Sequence, residues 1–341
     1  MVLPPYDKPA DECSGRGTPC DARDTVKNCF TFGPVPSRRL GRSLGVDLVP
    51  FKTCTYDCIY CQLGRTTNKT ATRNEYYPVK DIIREVKKKL REISRPDYIT
   101  LSGSGEPTLH SRIGDIIREI KDITDIPVAV LTNGSLFRID EVRDAVLEAD
   151  LIIPSLDAGD EGAFLYINRP HEDISFKKMA DGLCSLRESY KGSIWLEVFL
   201  AGGITDKETE IEKIKTWTDR INPERIQLNT AVRTPAEDSV RLVSKKKMEE
   251  IAEFLGPHCE VIADYSKIHD LGEFHTTQDD VLELLKRRPC SVSDISSGLD
   301  LHRNEAIKYV QELLDQYLIR MERRDDKVLY MGDVNRTKNE C

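Results

Sequence analysis

The chain has 341 residues, of which 32 % are charged, and its formal net charge at pH 7 is −8. This length indicates about two domains, or one barrel-sized domain with an appendage. The sequence contains no run of about 18 apolar residues, so we expect no membrane span. The acidic balance argues against a broad nucleic-acid-binding surface and leaves room only for a local basic patch.

The first 30 residues are rich in Pro, Gly, Asp and Cys and show little periodicity, which is typical of a loosely ordered lead-in. Three cysteines lie in this segment, Cys13, Cys20 and Cys29, with the spacing C-x6-C-x8-C. That spacing matches no metal-binding pattern that we can name. Cys184, Cys259, Cys290 and Cys341 are predicted to be structural thiols without a special role.

From residue 43 onward, apolar strands alternate with amphipathic helices. Apolar residues recur at helical spacing over 79–93 and again over 113–120, which predicts two helices with one buried face each. The predicted strands are 43–49, 98–101, 128–132, 151–156, 194–200 and 225–229. Regular strand–helix alternation predicts parallel strands joined by right-handed crossovers.

The pattern changes after a predicted boundary near 265–277. Apolar spacing then indicates three short helices, the second over 291–298 and the third along 306–318. Two alternating segments, 318–324 and 327–331, flank Asp-Asp and predict a hairpin. Three helices followed by a hairpin is the order of a winged-helix module.

The most informative segment is 51–64, which contains Cys54, Cys58 and Cys61 with the spacing C-x3-C-x2-C. Three thiolates within eight residues can ligate three irons of a cubane iron–sulfur cluster and leave the fourth iron open. Two alternatives remain. A disulfide framework is disfavoured by the low density of cysteines. A structural zinc site is disfavoured because it needs a fourth ligand, often from a second C-x2-C pair, and this sequence has no second pair.

This segment, including Tyr60 before the third cysteine, resembles the cluster-binding loop of the radical S-adenosylmethionine (SAM) superfamily. The resemblance extends over residues 30–265. It implies an α/β fold, a partial (β/α)6 TIM-like barrel, in residues 31–265. The lead-in 1–30 precedes this barrel, and we expect a small winged-helix domain at 275–332 and a tail at 333–341.

The resemblance also implies a SAM site. Gly103, Ser104, Gly105 and Glu106 precede Pro107 and are similar to the Gly-rich motif that binds the methionine amino group, with Ser inserted between the glycines. Glycines there let the backbone approach a ligand closely. A Gly-rich turn before a helix is common, so the motif gains weight only from its position one strand–helix unit after the cysteines.

Further candidates follow later strands, where barrels of this type place active residues. Each has a structural alternative: a turn residue for Asn133, a helix cap for Ser155 and Asp157, and a solvated loop charge for Arg169. By resemblance, Asn133 contacts SAM, Ser155 or Asp157 binds its ribose or carboxylate, and Arg169 clamps a carboxylate. The remaining candidates are Glu197, which we expect to point into the barrel and bind a polar group, and Asn229, expected near adenine.

Three arginines lie in five residues before the first predicted strand, Arg38, Arg39 and Arg42. We place them near the barrel mouth. Guanidinium groups there suit phosphate or a substrate carboxylate, and a solvated basic loop is the alternative.

The function implied by the resemblance is that of an enzyme with one [4Fe-4S] cluster and SAM, in which reductive cleavage of SAM yields a 5′-deoxyadenosyl radical that abstracts hydrogen from a substrate. No residue is identified as catalytic in its own right. A second cluster on Cys13, Cys20 and Cys29 is a further possibility, because some radical SAM enzymes carry one on N-terminal cysteines. We expect a cytoplasmic location and an electron donor of the flavodoxin or ferredoxin type.

The substrate is indicated less directly. The runs 32–45 and 54–64 resemble a prokaryotic branch grouped with the wyosine-forming enzymes of tRNA modification, which makes RNA a first candidate beside a protein side chain. Residues 279–332, however, contain nine Lys or Arg against eleven Asp or Glu, so a protein-docking or dimerising role for the module is an equal alternative. A non-catalytic redox-sensing regulator is the alternative function, and it predicts no SAM pocket.

Overall fold

The computed structural model describes residues 30–37, 39–231, 235–237, 239–263, 278–299, 301, 303–324 and 327–332. Twelve strands lie in these ranges. They are β1 (Thr31–Ser37), β2 (Gly41–Val46), β3 (Thr53–Cys54), β4 (Asn68–Lys69), β5 (Tyr98–Leu101), β6 (Val128–Thr132), β7 (Leu151–Pro154), β8 (Ser193–Leu200), β9 (Arg225–Thr230), β10 (Cys259–Val261), β11 (Ile319–Arg324) and β12 (Lys327–Gly332).

The α-helices fill the connections between these strands. They are α1 (Val79–Glu92), α2 (Ile113–Ile123), α3 (Asp140–Val146), α4 (Glu161–Ile167), α5 (Phe176–Ser189), α6 (Glu208–Ile221), α7 (Lys245–Leu255), α8 (Gln278–Arg287), α9 (Val292–Gly298) and α10 (Arg303–Asp315). Among the helices of the described ranges, none is both long and apolar enough to cross a membrane.

One eight-stranded sheet organises the larger part of the chain, in the order β1-β2-β5-β6-β7-β8-β9-β10. β1 pairs antiparallel with β2, and every later pair in the sheet is parallel. The six predicted strands correspond to β2 and β5–β9. The prediction of an α/β fold with a largely parallel sheet is therefore confirmed.

Both faces of the sheet are packed. In β7, Ile152 contacts the main core beneath the helices, whereas Leu151 and Ile153 belong to a second cluster with Leu40 and Ala129. Successive strand residues point to opposite faces. The second cluster therefore fills the inner face of the sheet, with Leu40 reaching it from the turn before β2.

Helix α2 illustrates how the sequence pattern positions the outer layer. Ile113, Ile116, Ile117 and Ile120 recur at the spacing of one helical face, and all four are fully buried. The helix packs against β6 and against the neighbouring helices α1 and α3.

The C-terminal module, residues 278–332, consists of α8, α9, α10 and the antiparallel hairpin β11–β12. It has its own core, which includes Val281, Leu285, Ile295 and Val310. The order of three helices and a hairpin agrees with the sequence pattern, while the assignment as a winged helix stays a prediction. The predicted boundary at 265–277 lies wholly outside the described residues.

Two features differ from the sequence-based prediction. Residues 31–37 form the edge strand β1, where no strand was predicted. Prolines at 34 and 36 argue against a strand interior, but an edge strand tolerates them because one side needs no ladder hydrogen bonds. The second feature is β10, a short strand that extends the sheet beyond β9. Cys13, Cys20 and Cys29 lie outside the described residues.

Candidate functional site

Four loops meet at the edge of the sheet formed by the carboxyl ends of its parallel strands. The cysteine loop follows β2, the Gly-rich loop follows β5, Asn133 follows β6, and Asp157 comes shortly after β7. Parallel strands end at the same edge, so residues far apart in sequence become neighbours there.

A cavity of about 150 Å³ lies between the first two of these loops. Its lining residues are Lys52, Cys54, Tyr56, Cys58, Cys61, Leu63, Thr66, Gly103, Ser104 and Gly105. Within the described parts of the chain, no three His, Cys, Asp or Glu side chains converge as they would around one metal ion. The three thiols are instead distributed around a volume that they share with the Gly-rich loop, and thiolates are the ligands that iron–sulfur clusters use.

The three thiols are strongly desolvated. Burial raises the pKa of the Cys54 thiol to about 12, and it also raises the pKa of Cys58 and of Cys61. The charge of Lys52 and backbone N–H groups of Leu63 and Gly64 oppose this rise in the pKa of Cys61. A metal group that takes thiolate ligands would supply the missing positive charge, so the donor set fits an iron–sulfur cluster.

Two asparagine side chains donate to the thiols. Asn133 Nδ2 lies 3.6 Å from Cys54 Sγ and donates to Thr55 Oγ1 at 2.7 Å. Asn168 Nδ2 lies 3.5 Å from Cys58 Sγ. Hydrogen bonds to the sulfurs tune the potential of an iron–sulfur cluster. Sequence reasoning selected Asn133 but missed Asn168, whose only signal was its place beside Arg169 in the loop after α4.

Asp157 organises the wall next to Cys58. Its Oδ2 accepts hydrogen bonds from the Tyr60 hydroxyl and from Asn168 Nδ2, and its Oδ1 accepts from the backbone N–H of Phe199. Burial raises the pKa of the Asp157 carboxyl to about 6. The Tyr60 ring stacks on Phe199 with centroids 3.9 Å apart. The two predicted residues Tyr60 and Asp157 are thus brought together by direct contact.

Glu106 ties the Gly-rich loop to the end of β6. Its Oε1 accepts from the hydroxyls of Thr108 and Thr132, each at 2.6 Å, and its Oε2 accepts from the backbone N–H of Asn133 at 2.7 Å. Burial raises the pKa of the Glu106 carboxyl, whereas these hydrogen bonds lower it. The carboxylate therefore fixes the relative position of two loops of the site.

Both glycines of the Gly-rich loop are required by close packing. Gly103 has φ +115°, and a Cβ there would lie 2.1 Å from Asp47 Oδ1. A Cβ on Gly105 would lie 1.8 Å from the carbonyl oxygen of Thr53. The loop thus lies directly against the segment that precedes Cys54.

Arg169 lies at the outer rim of the site. It adopts φ +46°, and its guanidinium pairs with Glu237, which also binds Arg65 at 2.7 Å. Arg65 in turn pairs with Asp57, between Cys54 and Cys58 in sequence. The predicted carboxylate clamp therefore holds a carboxylate of the chain itself.

Glu197 and Asn229 form a separate group on β8 and β9. Asn229 Nδ2 donates to Glu197 Oε1 at 2.8 Å, and Arg39 pairs with Glu197 Oε2. Ser155 forms an isolated parallel β-bridge with Glu197. The turn that carries Arg39 lies at the amino end of β2, and its guanidinium reaches Glu197 in the second half of β8. The alternative of a solvated loop was wrong for Arg39, whose side chain is only 14 % exposed.

Lys52 and Tyr56 were also missed. Lys52 lines the cavity, is 5 % exposed and donates to the carbonyl oxygen of Gly64. Tyr56 lines the same cavity and is 2 % exposed. The available signal was their position inside the cysteine segment, where any side chain is close to the thiols.

Comparison with known proteins agrees with this arrangement. The family model described as the radical SAM superfamily matches residues 48–217. A UPF0026 protein of Methanocaldococcus jannaschii, MJ1312, is 35 % identical over 91 % of this chain and 98 % of its own length. A GTPase Obg of Brachyspira hyodysenteriae is 39 % identical over 88 % of the chain, and the match spans only 45 % of that relative.

Solved structures show the same fold at low sequence identity. Streptococcus suis SuiB bound to precursor peptide SuiA gives a TM-score of 0.51 at 10 % identity, covering 70 % of this chain and 54 % of SuiB. A radical SAM methyltransferase from Sphaerobacter thermophilus gives 0.51 at 16 % identity, covering 67 % of each chain. The chain belongs to the UPF0026 family, and its residues 48–217, which include Cys54, Cys58 and Cys61, match the radical SAM superfamily.

Proposed function

We propose that the protein is a radical SAM enzyme that binds one [4Fe-4S] cluster through Cys54, Cys58 and Cys61. The observation that carries this proposal is that these three thiols and the Gly-rich loop line one cavity at the carboxyl ends of the parallel strands. A redox-sensing regulator would require the thiols alone. The shared cavity therefore favours an enzyme over a regulator.

The cofactor would supply the difficult chemistry. When bound, the reduced cluster supplies one electron that cleaves SAM to methionine and a 5′-deoxyadenosyl radical, and this radical takes a hydrogen atom from the substrate to give 5′-deoxyadenosine and a substrate radical. The electron comes from a low-potential flavodoxin or ferredoxin. The proposed reaction class rests on superfamily membership and on the donor set of the cavity.

The chain's own residues position and shield this chemistry. Gly103, Ser104 and Gly105 offer backbone groups to the methionine part of SAM, with Glu106 holding the loop in place. Asn133 and Asn168 donate to the thiols. The stacked rings of Tyr60 and Phe199 exclude water beside Cys58. These roles are supported by the contacts within the site.

The proposal extends to the class of substrate. An RNA base and a protein side chain are the two candidates, and the C-terminal module is the candidate for substrate docking. The module's net negative composition, with nine basic against eleven acidic residues over 279–332, favours a protein over RNA as the partner of that module.

Anaerobic reconstitution tests the proposal. The protein is loaded with iron and sulfide, reduced with dithionite and mixed with SAM, and iron, sulfide and 5′-deoxyadenosine are quantified. We expect about four irons per chain and formation of 5′-deoxyadenosine. Both are lost in the Cys54/Cys58/Cys61→Ala triple variant and kept in the control variant Cys184→Ala/Cys259→Ala.

Two results would overturn the assignment. A triple variant that keeps its iron would exclude these cysteines as ligands. A wild-type protein that holds the cluster but never cleaves SAM would favour the redox-sensing regulator. An iron content near eight would assign a second cluster to Cys13, Cys20 and Cys29.

A further inference from the structure

Two consecutive arginines at the end of α8 connect the C-terminal module to the site. Arg287 Nη2 pairs with Asp47 Oδ2 at 2.6 Å, directly after β2. Arg288 Nη1 donates to Gln62 Oε1 at 3.1 Å, one residue after Cys61. The module therefore contacts the segments on both sides of the cysteines.

The carboxylate of Asp47 is shared between the module and the Gly-rich loop. While Oδ2 pairs with Arg287, Oδ1 accepts the backbone N–H of Ser104 at 2.5 Å. Gly103 packs against the same pair, since a Cβ there would lie 2.1 Å from Asp47 Oδ1 and 3.1 Å from Arg287 Nη1. One carboxylate thus transmits the position of Arg287 to the backbone that lines the cavity.

The ion pair is enclosed. The side chain of Asp47 is 8 % exposed and that of Arg287 is 19 % exposed. The guanidinium of Arg287 lies over the Phe32 ring, 3.2 Å from its centroid, which adds a cation–π contact. Phe32 in turn covers Gly45, where a Cβ would collide with the ring at 1.9 Å. A buried carboxylate that loses its charged partner is costly, so Asp47 depends on Arg287 for its orientation.

We propose that Arg287 is a positioning residue for SAM binding, which makes the C-terminal module part of the cofactor site. Resting on the proposed function, the inference assigns to the module a role in holding Ser104 and the flanking glycines in their binding conformation. Arg287 acts through Asp47 and does not itself contact the cofactor.

Hydrogen exchange of the cluster-free protein tests whether Arg287 holds the segment around Ser104 in place. In Arg287→Gln, amide exchange in the segment 102–106 is expected to accelerate by about tenfold, because Asp47 no longer holds the Ser104 N–H. Arg320→Gln removes an exposed arginine of the same module and serves as the matched control. Arg287→Lys restores the charge and is expected to recover part of the protection.

A double-variant cycle identifies Asp47 as the link. In an Asp47→Asn background, Arg287→Gln is expected to add little, since the pair is already broken. Additive effects of the two substitutions would overturn the role of Asp47. Unchanged exchange in Arg287→Gln would overturn the inference as a whole.

SAM affinity of the reconstituted protein tests whether this support of the Ser104 segment contributes to SAM binding. Arg287→Gln is expected to bind SAM about tenfold more weakly at unchanged iron content, because Asp47 then holds the Ser104 backbone less firmly. Equal SAM affinity in Arg287→Gln and wild type would overturn the inference. The exchange experiment needs neither cluster nor SAM, so its result stands apart from the success of the proposed function.

Discussion

The side-chain amide of Asn168 lies 3.5 Å from the thiol of Cys58, and the same amide donates to the buried carboxylate of Asp157 at 2.8 Å. A single nitrogen therefore links an acidic group of the sheet edge to a cluster-ligand candidate. Because the carboxylate fixes the amide, the N–H donor faces the sulfur in a defined orientation. Groups that contact metal ligands commonly orient those ligands in this way.

Substitution of Asn168 is expected to shift the cluster potential. Asn168→Ala removes one hydrogen bond to the Cys58 sulfur, which stabilises the reduced cluster less and lowers its potential by about 50 mV, the one-electron equivalent of about 1 kcal/mol. Potentiometric titration followed by electron paramagnetic resonance measures the shift. The exposed Asn74→Ala is the control, and equal potentials in all three proteins would contradict the prediction.

The pKa of Asp157 predicts a pH dependence of stability. Its pKa is raised from 3.8 to about 6, so the folded state binds the proton more tightly than the unfolded state. The contribution of Asp157 to stability is therefore largest below about pH 4 and falls by about 3 kcal/mol as pH rises through about 6. Asp157→Asn is expected to lose this slope.

Urea unfolding of the cluster-free protein between pH 4 and pH 7 checks this prediction. The control is Asp160→Asn, because pairing with Lys213 lowers the pKa of Asp160 and moves its titration below this window. A stability difference between wild type and Asp157→Asn that stays constant from pH 4 to pH 7 would show that the prediction is wrong.

Two buried tyrosines are expected to respond differently to loss of the hydroxyl. The buried hydroxyl of Tyr56 has no hydrogen-bond partner in the described chain, whereas that of Tyr190 donates to the carbonyl of Ala149 at 2.7 Å. In the cluster-free protein, Tyr56→Phe is expected to be neutral or to stabilise by up to about 1 kcal/mol, and Tyr190→Phe to destabilise by about 1 kcal/mol. Denaturant midpoints measure both, and a larger cost for Tyr56→Phe would refute the assignment.

Gly105 is expected to be the less tolerant of two glycines. Alanine at 105 brings its Cβ within 1.8 Å of the Thr53 carbonyl oxygen, so backbone must move at a cost of about 1–3 kcal/mol. Alanine at 162, within α4, meets its nearest neighbour at 3.4 Å and is expected to stabilise by about 0.5–1 kcal/mol. Thermal unfolding compares the two variants, and equal stability would contradict the prediction.

Local pattern was enough to predict six of the eight strands of the large sheet. These six strands carry apolar residues between turn signals, and α1 and α2 show clear helical spacing, so each of these elements was identified from its own residues. β1 was missed because its prolines at 34 and 36 obscure the strand signal, and only pairing with β2 makes it a strand. Its formation depends on a neighbour, which a local pattern does not include.

The site was predictable where its residues belong to a motif or directly follow a strand. Cys54 and Gly103 were selected from their motifs, and Asn133 and Asp157 because they follow predicted strands. Parallel strands bring the residues that follow them together at one edge of the sheet. The contacts of Asn168 and the pairing of Arg39 with Glu197 were not predictable, since each joins side chains that are distant in sequence and depends on rotamers set by packing.

The order of synthesis gives the Asp47–Arg287 contact a further consequence. These residues are 240 positions apart, so a ribosome completes the entire parallel sheet before it adds Arg287. Domains generally fold as units during synthesis, N-terminal part first. The nascent sheet consequently forms without this ion pair, and the segment around Ser104 gains its support only after Arg287 has been added.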